Sequence, residues 1–247
     1  MTSASDPARE FLDAFNEIER HLRERLHAAD GVSFANMVRD LAPNDRMIRN
    51  HETSLRVFAS LRNAISHGTY QGGLPIATPR PETVQAILQV RDHLLRPPTI
   101  DKYVQTRGEV ECADIGESLW RPLLTMGQRR YSQMPVYQAG TYRGLLTTNA
   151  VARWLSAQIG ASGDLMIEEA SVCDALAWAE PHEVAKFMPR RALVTDAIDV
   201  LSASTRTGGE APIAVIVTRN GKETEPPLGM FVIYDLPELL ICLQPST

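Results

Sequence analysis

Cysteine is scarce in this sequence, and long apolar runs are missing from it. The three cysteines, Cys112, Cys173 and Cys242, are too far apart for a zinc site or a disulfide framework, which is typical of a reducing cytosol. No window has the roughly 18 uninterrupted apolar residues that a membrane span needs. Early acidic residues and the lack of an apolar stretch speak against a secretory signal. These absences predict a cytoplasmic globular protein that has no membrane contact and no metal site.

Acidic residues outnumber basic ones, 30 to 25, so the formal net charge is -5. Residues 1–97 contain 12 Arg, no Lys and 12 Asp plus Glu, so the remainder of the chain carries the whole negative charge. An arginine-only basic set suits bidentate contacts with phosphate, although a GC-rich genome also explains it. No net positive field draws nucleic acid from a distance, and DNA is not expected as a partner.

The first 97 residues have the periodicity of helices. Apolar residues that recur every three or four positions predict a first helix with one buried face: Phe11, Phe15, Ile18, Leu22 and Leu26. Three more helices are predicted over residues 33–41, about 52–67 and about 81–96. The Pro97-Pro98 pair then predicts a domain boundary, since the residue before a proline disfavours helix. Residues 1–97 are therefore predicted to form an all-α helical bundle.

Beyond this boundary, an order of helix, strand, turn, strand and helix occurs twice. The first copy has a helix from Glu117, the strands MPVYQ and YRGLLT around Ala139-Gly140, and the helix NAVARWLSAQ. The second has a helix from Ala192, the strands APIAVIVT and LGMFVIY around Asn220-Gly221, and a helix through ELLICL. Such a repeat predicts two homologous units, about 98–158 and 159–247. The chain as a whole is predicted to be α+β, with an α/β domain over residues 98–247.

The end of the third predicted helix carries a cluster of polar residues, LRNAISHG. Arg62 and His67 lie five positions apart, roughly 140° around a helix, whereas Asn63 and His67 share a face. Arg-x4-His with a polar residue after the Arg, in a helical domain of this size, resembles the motif of HEPN ribonucleases. Helix capping by His67 and Gly68, with Arg62 paired to an acid such as Glu17, is the structural alternative.

The HEPN resemblance implies a metal-independent endoribonuclease that acts on RNA. It implies that His67 moves a proton, Arg62 stabilises charge on the phosphate and Asn63 orients either group. It also implies a homodimer in which two motifs line one cleft, in a toxin-like role in bacterial stress or defence. The alternative is a non-catalytic sensor whose helical domain serves dimerisation or partner docking. The preceding segment DRMIRNH, which includes His51, is predicted as a solvated loop, with contacts along an RNA path as the other interpretation.

The segment MPVYQAGTYRGLLTTNAVARWL resembles a CBS motif, in which a Pro-Val strand leads to a Gly-h-h-Thr strand end and a helix. The second copy resembles this motif more loosely. Together they imply a CBS pair, or Bateman module, over about residues 98–245. The resemblance implies a regulatory ligand in the cleft between the two copies, namely AMP, ADP, ATP or a related adenine nucleotide. It further implies that the Thr holds phosphate and that an Asp three residues later holds the ribose hydroxyls.

The two copies divide this Thr-x-x-Asp feature between them. The first has Thr147 but Ala150 in place of the Asp, and the second has Asp235 but Val232 in place of the Thr. Asn149 lies one position from the expected Asp. The predicted nucleotide-binding residues are therefore Thr147, Asn149 and Asp235, with one nucleotide for the pair. Both Thr147 and Asp235 also fit the role of a helix N-cap.

Overall fold

A computed structural model of the chain describes residues 6–67, 77–159, 170–206, 211–241 and 243, with the backbone alone described at 67 and 204–206. These residues fall into two compact units. One comprises the residues up to Pro98 together with those from Glu238 onward, and the other comprises Thr99–Pro237. The domain boundaries expected from the sequence, 1–97 and 98–247, stay predictions. The predicted mixed α+β class is confirmed.

Within residues 6–67 and 77–98 the chain forms four helices: α1 (Pro7–Leu26), α2 (Phe34–Leu41), α3 (Arg46–His67) and α4 (Pro81–Leu95). Helix α1 begins where the Asp6 carboxylate accepts a hydrogen bond from the amide of Ala8, at 3.0 Å. The Ser33 hydroxyl caps α2 in the same way, by accepting from the amide of Asn36 at 3.3 Å. Helix α1 contacts each of the other three helices.

The predicted apolar face of α1 forms the centre of this bundle. Phe11, Phe15, Ile18 and Leu22 are buried, which confirms the prediction for four of the five residues, whereas Leu26 at the end of the helix is half-buried. The ring of Phe11 meets that of Phe58 on α3 edge to face, with their centroids 6.0 Å apart. Such pairs add to the stabilisation that burial of the two rings already gives.

Helix α3 begins earlier than the sequence predicted, and the prediction of a solvated loop over DRMIRNH was wrong. The Asp45 carboxylate accepts a hydrogen bond from the amide of Ile48 at 3.0 Å, which fixes the start of the helix. The periodicity continues through Met47, Ile48 and His51, all of which are buried. The intervening polar residues misled the prediction because they occupy the outer face of the same helical turns.

His51 is the most deeply buried titratable residue of this helix, with 0% of its surface exposed. Its Nε2 lies 3.2 Å from Nδ1 of His93 on α4, and its Nδ1 has no hydrogen-bond partner among the described residues. Burial, followed by the neighbouring imidazole, lowers the pKa of His51 to about 4. Burial also lowers the pKa of His93. The core of the bundle therefore contains two imidazoles that are neutral at pH 7.

The residues of the Thr99–Pro237 unit that the structure describes form two sheets of three strands each. Its elements, with the helix that leaves it, are α5 (Asp101–Val104), β1 (Ala113–Asp114), α6 (Trp120–Arg129), β2 (Gln133–Gln138), β3 (Thr141–Thr147), α7 (Thr148–Gln158), α8 (Val172–Leu176), β4 (Ala185–Pro189), α9 (Val194–Arg206), β5 (Ala214–Thr218), β6 (Gly229–Val232), a 3-10 turn (Ile233–Asp235) and α10 (Leu236–Ile241). The sheet orders are β1-β2-β3 and β4-β5-β6. In both sheets the first two strands are parallel and the last two antiparallel.

This topology confirms the internal repeat, because each copy has the order strand, helix, strand, strand, helix. The two antiparallel strands and the final helix are the elements that the CBS resemblance implies. The opening strands β1 and β4 were not predicted from the sequence. Each pairs with a strand that follows an intervening helix, and β1 spans two residues, which leaves no periodicity to detect.

The two hairpins differ in their turns. Ala139 and Gly140 both have positive φ, 49° and 78°, and join β2 to β3 in a tight turn, as the sequence predicted. Asn220-Gly221 begins a longer loop between β5 and β6 instead. There the backbone amide and the side-chain amide of Asn220 both donate to the carboxylate of Glu225, and these bonds lower the pKa of Glu225 to about 2.

Candidate functional site

The Arg-x4-His motif lies on the last turns of α3. The Arg62 guanidinium is 5.7 Å from the centre of the Phe15 ring, and its Nη1 donates to the Oδ1 of the exposed Asn63 at 3.2 Å. Glu17, the suggested structural partner, lies 3.5 Å from the guanidinium of Arg91. The backbone of His67 ends the helix, whereas its side chain and Gly68 lie outside the described residues. The catalytic roles of Arg62, Asn63 and His67 therefore stay predictions.

The divided Thr-x-x-Asp feature has a local structural role in both copies. The Thr147 hydroxyl accepts a hydrogen bond from the amide of Ala150 at 2.9 Å, at the start of α7. The Asp235 carboxylate accepts one from the amide of Val232 at 2.7 Å, just before α10. These two bonds are the two halves of a capping box, so each copy has kept one half. The capping alternative for both residues is thus present in the structure.

Asp235 differs from Thr147 in facing a cavity of about 540 Å³. Three segments line this space, which we call the Asp235 cavity: residues 107–111, residues 130–135 and the strand end and turn at 229–235. Neither Thr147 nor Asn149 is among the lining residues, and Asn149 lies exposed on the first turn of α7. The structure therefore separates the three predicted nucleotide-binding residues. Of the three, Asp235 alone lines this cavity.

Arg107 is the closest charged neighbour of Asp235 across the cavity wall. Its Nη2 donates to Oδ1 of Asp235 at 2.9 Å, while the guanidinium stacks 4.5 Å from the centre of the Phe231 ring. About a quarter of the Arg107 side chain is exposed. Each carboxylate oxygen has two lone pairs, so Asp235 can accept further hydrogen bonds while it keeps those from Arg107 and from the amide of Val232.

The remaining cavity wall offers polar and aromatic groups in a nearly balanced electrostatic field. Its charged residues are Arg107, Arg130, Glu109, Glu111 and Asp235. The side-chain amide oxygen of Gln133 is buried and has no hydrogen-bond partner among the described residues. Gln133 lines the cavity, and its side-chain amide carries both donors and an acceptor.

Thr147 instead meets an acidic side chain of its own chain. Its hydroxyl donates to the Glu183 carboxylate at 2.6 Å, and the Arg153 guanidinium forms an ion pair with the same carboxylate. The amide of Glu180 donates to it as well, at 2.7 Å. Only 2% of the surface of Glu183 is exposed. A phosphate at Thr147 would have to displace this buried carboxylate.

Sequence reasoning missed Arg107, Gln133 and Glu183. Arg107 and Glu183 lie in the segments that precede each repeat, far in sequence from the residues that they contact. A Glu stands two residues before the opening strand of each copy, as Glu111 and Glu183, but the pattern becomes visible only once β1 and β4 are placed.

No known protein family matches the sequence, and a search of curated proteins finds no match. Solved structures of CBS domains match at low identity. A crystal structure of a CBS domain has 16% identity and a TM-score of 0.43, over 58% of this chain and 98% of that chain. A CBS-domain protein from Agrobacterium tumefaciens has 14% identity and a TM-score of 0.42, over 57% and 92%. The CBS domain of a bacterial CNNM/CorC family Mg²⁺ transporter in complex with ATP has 14% and 0.40, over 66% and 99%. Likeness at this level carries no conclusion about ligand or activity.

Among the residues that the structure describes, no helix combines the length and the apolar character that crossing a membrane requires. The described residues also contain no group of three or more His, Cys, Asp or Glu residues that is arranged to hold a metal ion.

Proposed function

We propose that the Thr99–Pro237 unit is a regulatory module that binds one adenine nucleotide in the Asp235 cavity. The observation that carries this proposal is the position of Asp235, whose carboxylate faces a cavity of about 540 Å³ between segments of both repeats. A carboxylate accepts hydrogen bonds from both hydroxyls of a ribose. The resemblance of the second copy to a CBS motif assigns the same role to this residue.

Other groups of the cavity suit the remaining parts of a nucleotide. The side-chain amide of Gln133, which lines the cavity, has both donors and an acceptor, as the hydrogen-bonding edge of a purine does. Arg107 and Arg130 offer guanidinium groups to a phosphate. Val232 has no hydroxyl to add to them. With three acids beside two arginines, these walls favour a ligand of few negative charges, so we expect AMP to bind more tightly than ATP.

Calorimetric titration with AMP tests the proposal. Hydrogen bonds to a charged group contribute about 1.5–3 kcal/mol, so Asp235→Ala should weaken AMP binding roughly ten- to hundred-fold. Asp174→Ala is the matched control, because the Asp174 carboxylate caps a helix in the same way, by accepting from the amide of Ser171 at 2.8 Å. Asp174 does not line the cavity. The control therefore removes a cap and leaves the ligand contacts intact.

Equal loss of binding in Asp235→Ala and Asp174→Ala would mean that Asp235 acts only as a cap. Failure of AMP, ADP and ATP to bind at millimolar concentration would end the nucleotide proposal altogether. The ribonuclease activity predicted for the helical part rests on the sequence motif alone, and the regulatory proposal does not depend on it.

A further inference from the structure

The two repeats exchange the segments that precede them. Thr99, before the first repeat, forms a bridge with Leu193 of the second, and Ser171, before the second repeat, forms one with Ser118 of the first. Helix α5 likewise packs on β6, where a Cβ added to Gly229 would lie 2.9 Å from Cγ2 of Val104. The segment that leads into the first repeat therefore covers strand β6 of the second repeat.

Helix α8 covers β3 in the same manner, with a Cβ added to Gly144 falling 2.9 Å from Cδ1 of Leu176. Residues that correspond in the two preceding segments lie 72 positions apart in sequence, as Thr99 and Ser171 or Val104 and Leu176 do. Residues that correspond in the two hairpins lie 85 positions apart, as Gly144 and Gly229 do. At these spacings Glu183 corresponds to Glu111, Thr147 to Val232 and Arg153 to Glu238.

This correspondence explains why one strand end faces a cavity and the other a carboxylate. Glu183 is held against Thr147 by a hydroxyl, a guanidinium and a backbone amide. Its counterpart Glu111 is exposed and lines the Asp235 cavity. The residues that correspond to the hydroxyl and the guanidinium are an apolar Val232 and an acidic Glu238, and neither can hold a carboxylate.

We infer that Glu183 is a built-in plug that occupies the first repeat's counterpart of the Asp235 cavity, so that the pair takes one nucleotide instead of two. The donors around the carboxylate of Glu183, namely Thr147, Arg153 and the amide of Glu180, form an anion site that the chain fills with its own anion. Shortening Glu183 exposes these donors to a phosphate, which is also an anion with several acceptor oxygens. Because the expected ligand is the same, this step rests on the proposed function.

Calorimetry with AMP on the full chain measures the number of sites directly. We expect one site per chain in the wild type and two in Glu183→Ala. The ion pair between Arg153 and Glu180, at 3.6 Å, remains in this variant and leaves the guanidinium a partner. Glu183→Ser is a second variant, in case the alanine variant does not fold, because its short polar side chain can bond to water in the space that the carboxylate leaves. Glu180→Ala is the matched control: it removes a neighbouring acid, leaves the plug in place and should keep one site.

Combining Glu183→Ala with Thr147→Val should return the count to one, which assigns the new site to this strand end. One site in the wild type and one in both folded Glu183 variants would overturn the inference and leave the proposed function standing. No site in the wild type and one in Glu183→Ala would support the plug and reject the open cavity. No site in any of these proteins would reject both.

Discussion

The buried imidazole pair of the helical bundle should make its stability depend on pH well above the range in which carboxylates titrate. In the folded chain the pKa of His51 is lowered to about 4, whereas an unfolded chain binds the same proton near the ordinary value of 6.5. At pH 7.5 neither state is protonated at this residue, so no penalty arises. Between these two pKa values only the unfolded state gains a proton, and the free energy of unfolding therefore falls as the pH falls.

The size of this effect follows from the two pKa values. Between pH 7.5 and pH 5, His51 alone should remove about 2 kcal/mol from the free energy of unfolding, since one pKa unit corresponds to about 1.4 kcal/mol. The lowered pKa of His93, which packs against it, adds to the same trend. No solvent screening reduces the contribution of His51, because none of its surface is exposed. We expect His51→Gln, which does not titrate, to lose about 2 kcal/mol less than the wild type over this interval.

Urea unfolding at both pH values, followed by far-ultraviolet circular dichroism, measures this difference. Tryptophan fluorescence would not report on the bundle, because Trp120, Trp154 and Trp178 all lie in the Thr99–Pro237 unit. His27→Asn is the control, since His27 is an exposed helix cap with positive φ, a conformation that Asn tolerates. It should follow the wild type at both pH values. If wild type and His51→Gln lost the same free energy, the buried imidazole would not be the cause of the acid sensitivity.

Three other predictions concern packing, chemistry and assembly. Gly229→Ala should lower the free energy of unfolding by about 1–3 kcal/mol and by more than Gly144→Ala, because the stiff Val104 side chain cannot move aside as the tip of Leu176 can. Thermal unfolding of both variants measures this order, and equal losses would contradict it. If the helical part is a ribonuclease, it should cut single-stranded RNA in EDTA, leave a 2′,3′-cyclic phosphate and not cut DNA. His67→Ala should slow cleavage roughly a hundred-fold or more, and activity that survives this substitution would contradict the assignment. Light scattering should give a dimer at micromolar concentration, and a monomer would argue against a composite active site.

The sequence was a good guide where structure is set by local periodicity. Phe11 and Ile18 show the helical period and are buried as that period predicts. Ala139-Gly140 forms the predicted turn, and a tight turn of this kind depends on its two central residues alone, both of which have positive φ. His51 shows the limit of this approach, because one imidazole among arginines and an asparagine looks like a surface residue until the turn is placed on a helix.

The candidate site was less predictable because its contacts are distant in sequence. Thr147 and Asp235 were predicted from the resemblance to a CBS motif, but a motif alone does not distinguish a cap from a ligand contact. The contact between Thr147 and Glu183 spans 36 residues, and that between Arg107 and Asp235 spans 128. No local pattern encodes such pairs. They depend on the exchange of segments between the repeats, which becomes visible only in three dimensions.

The Asp235 cavity lies close in sequence to both places where the chain passes between its two units. One passage follows Pro98, shortly before the cavity wall at Arg107, and the other follows Pro237, directly after the wall at Asp235. A ligand that contacts both walls would hold together the segment that enters this unit, at Arg107, and the segment that leaves it, at Asp235.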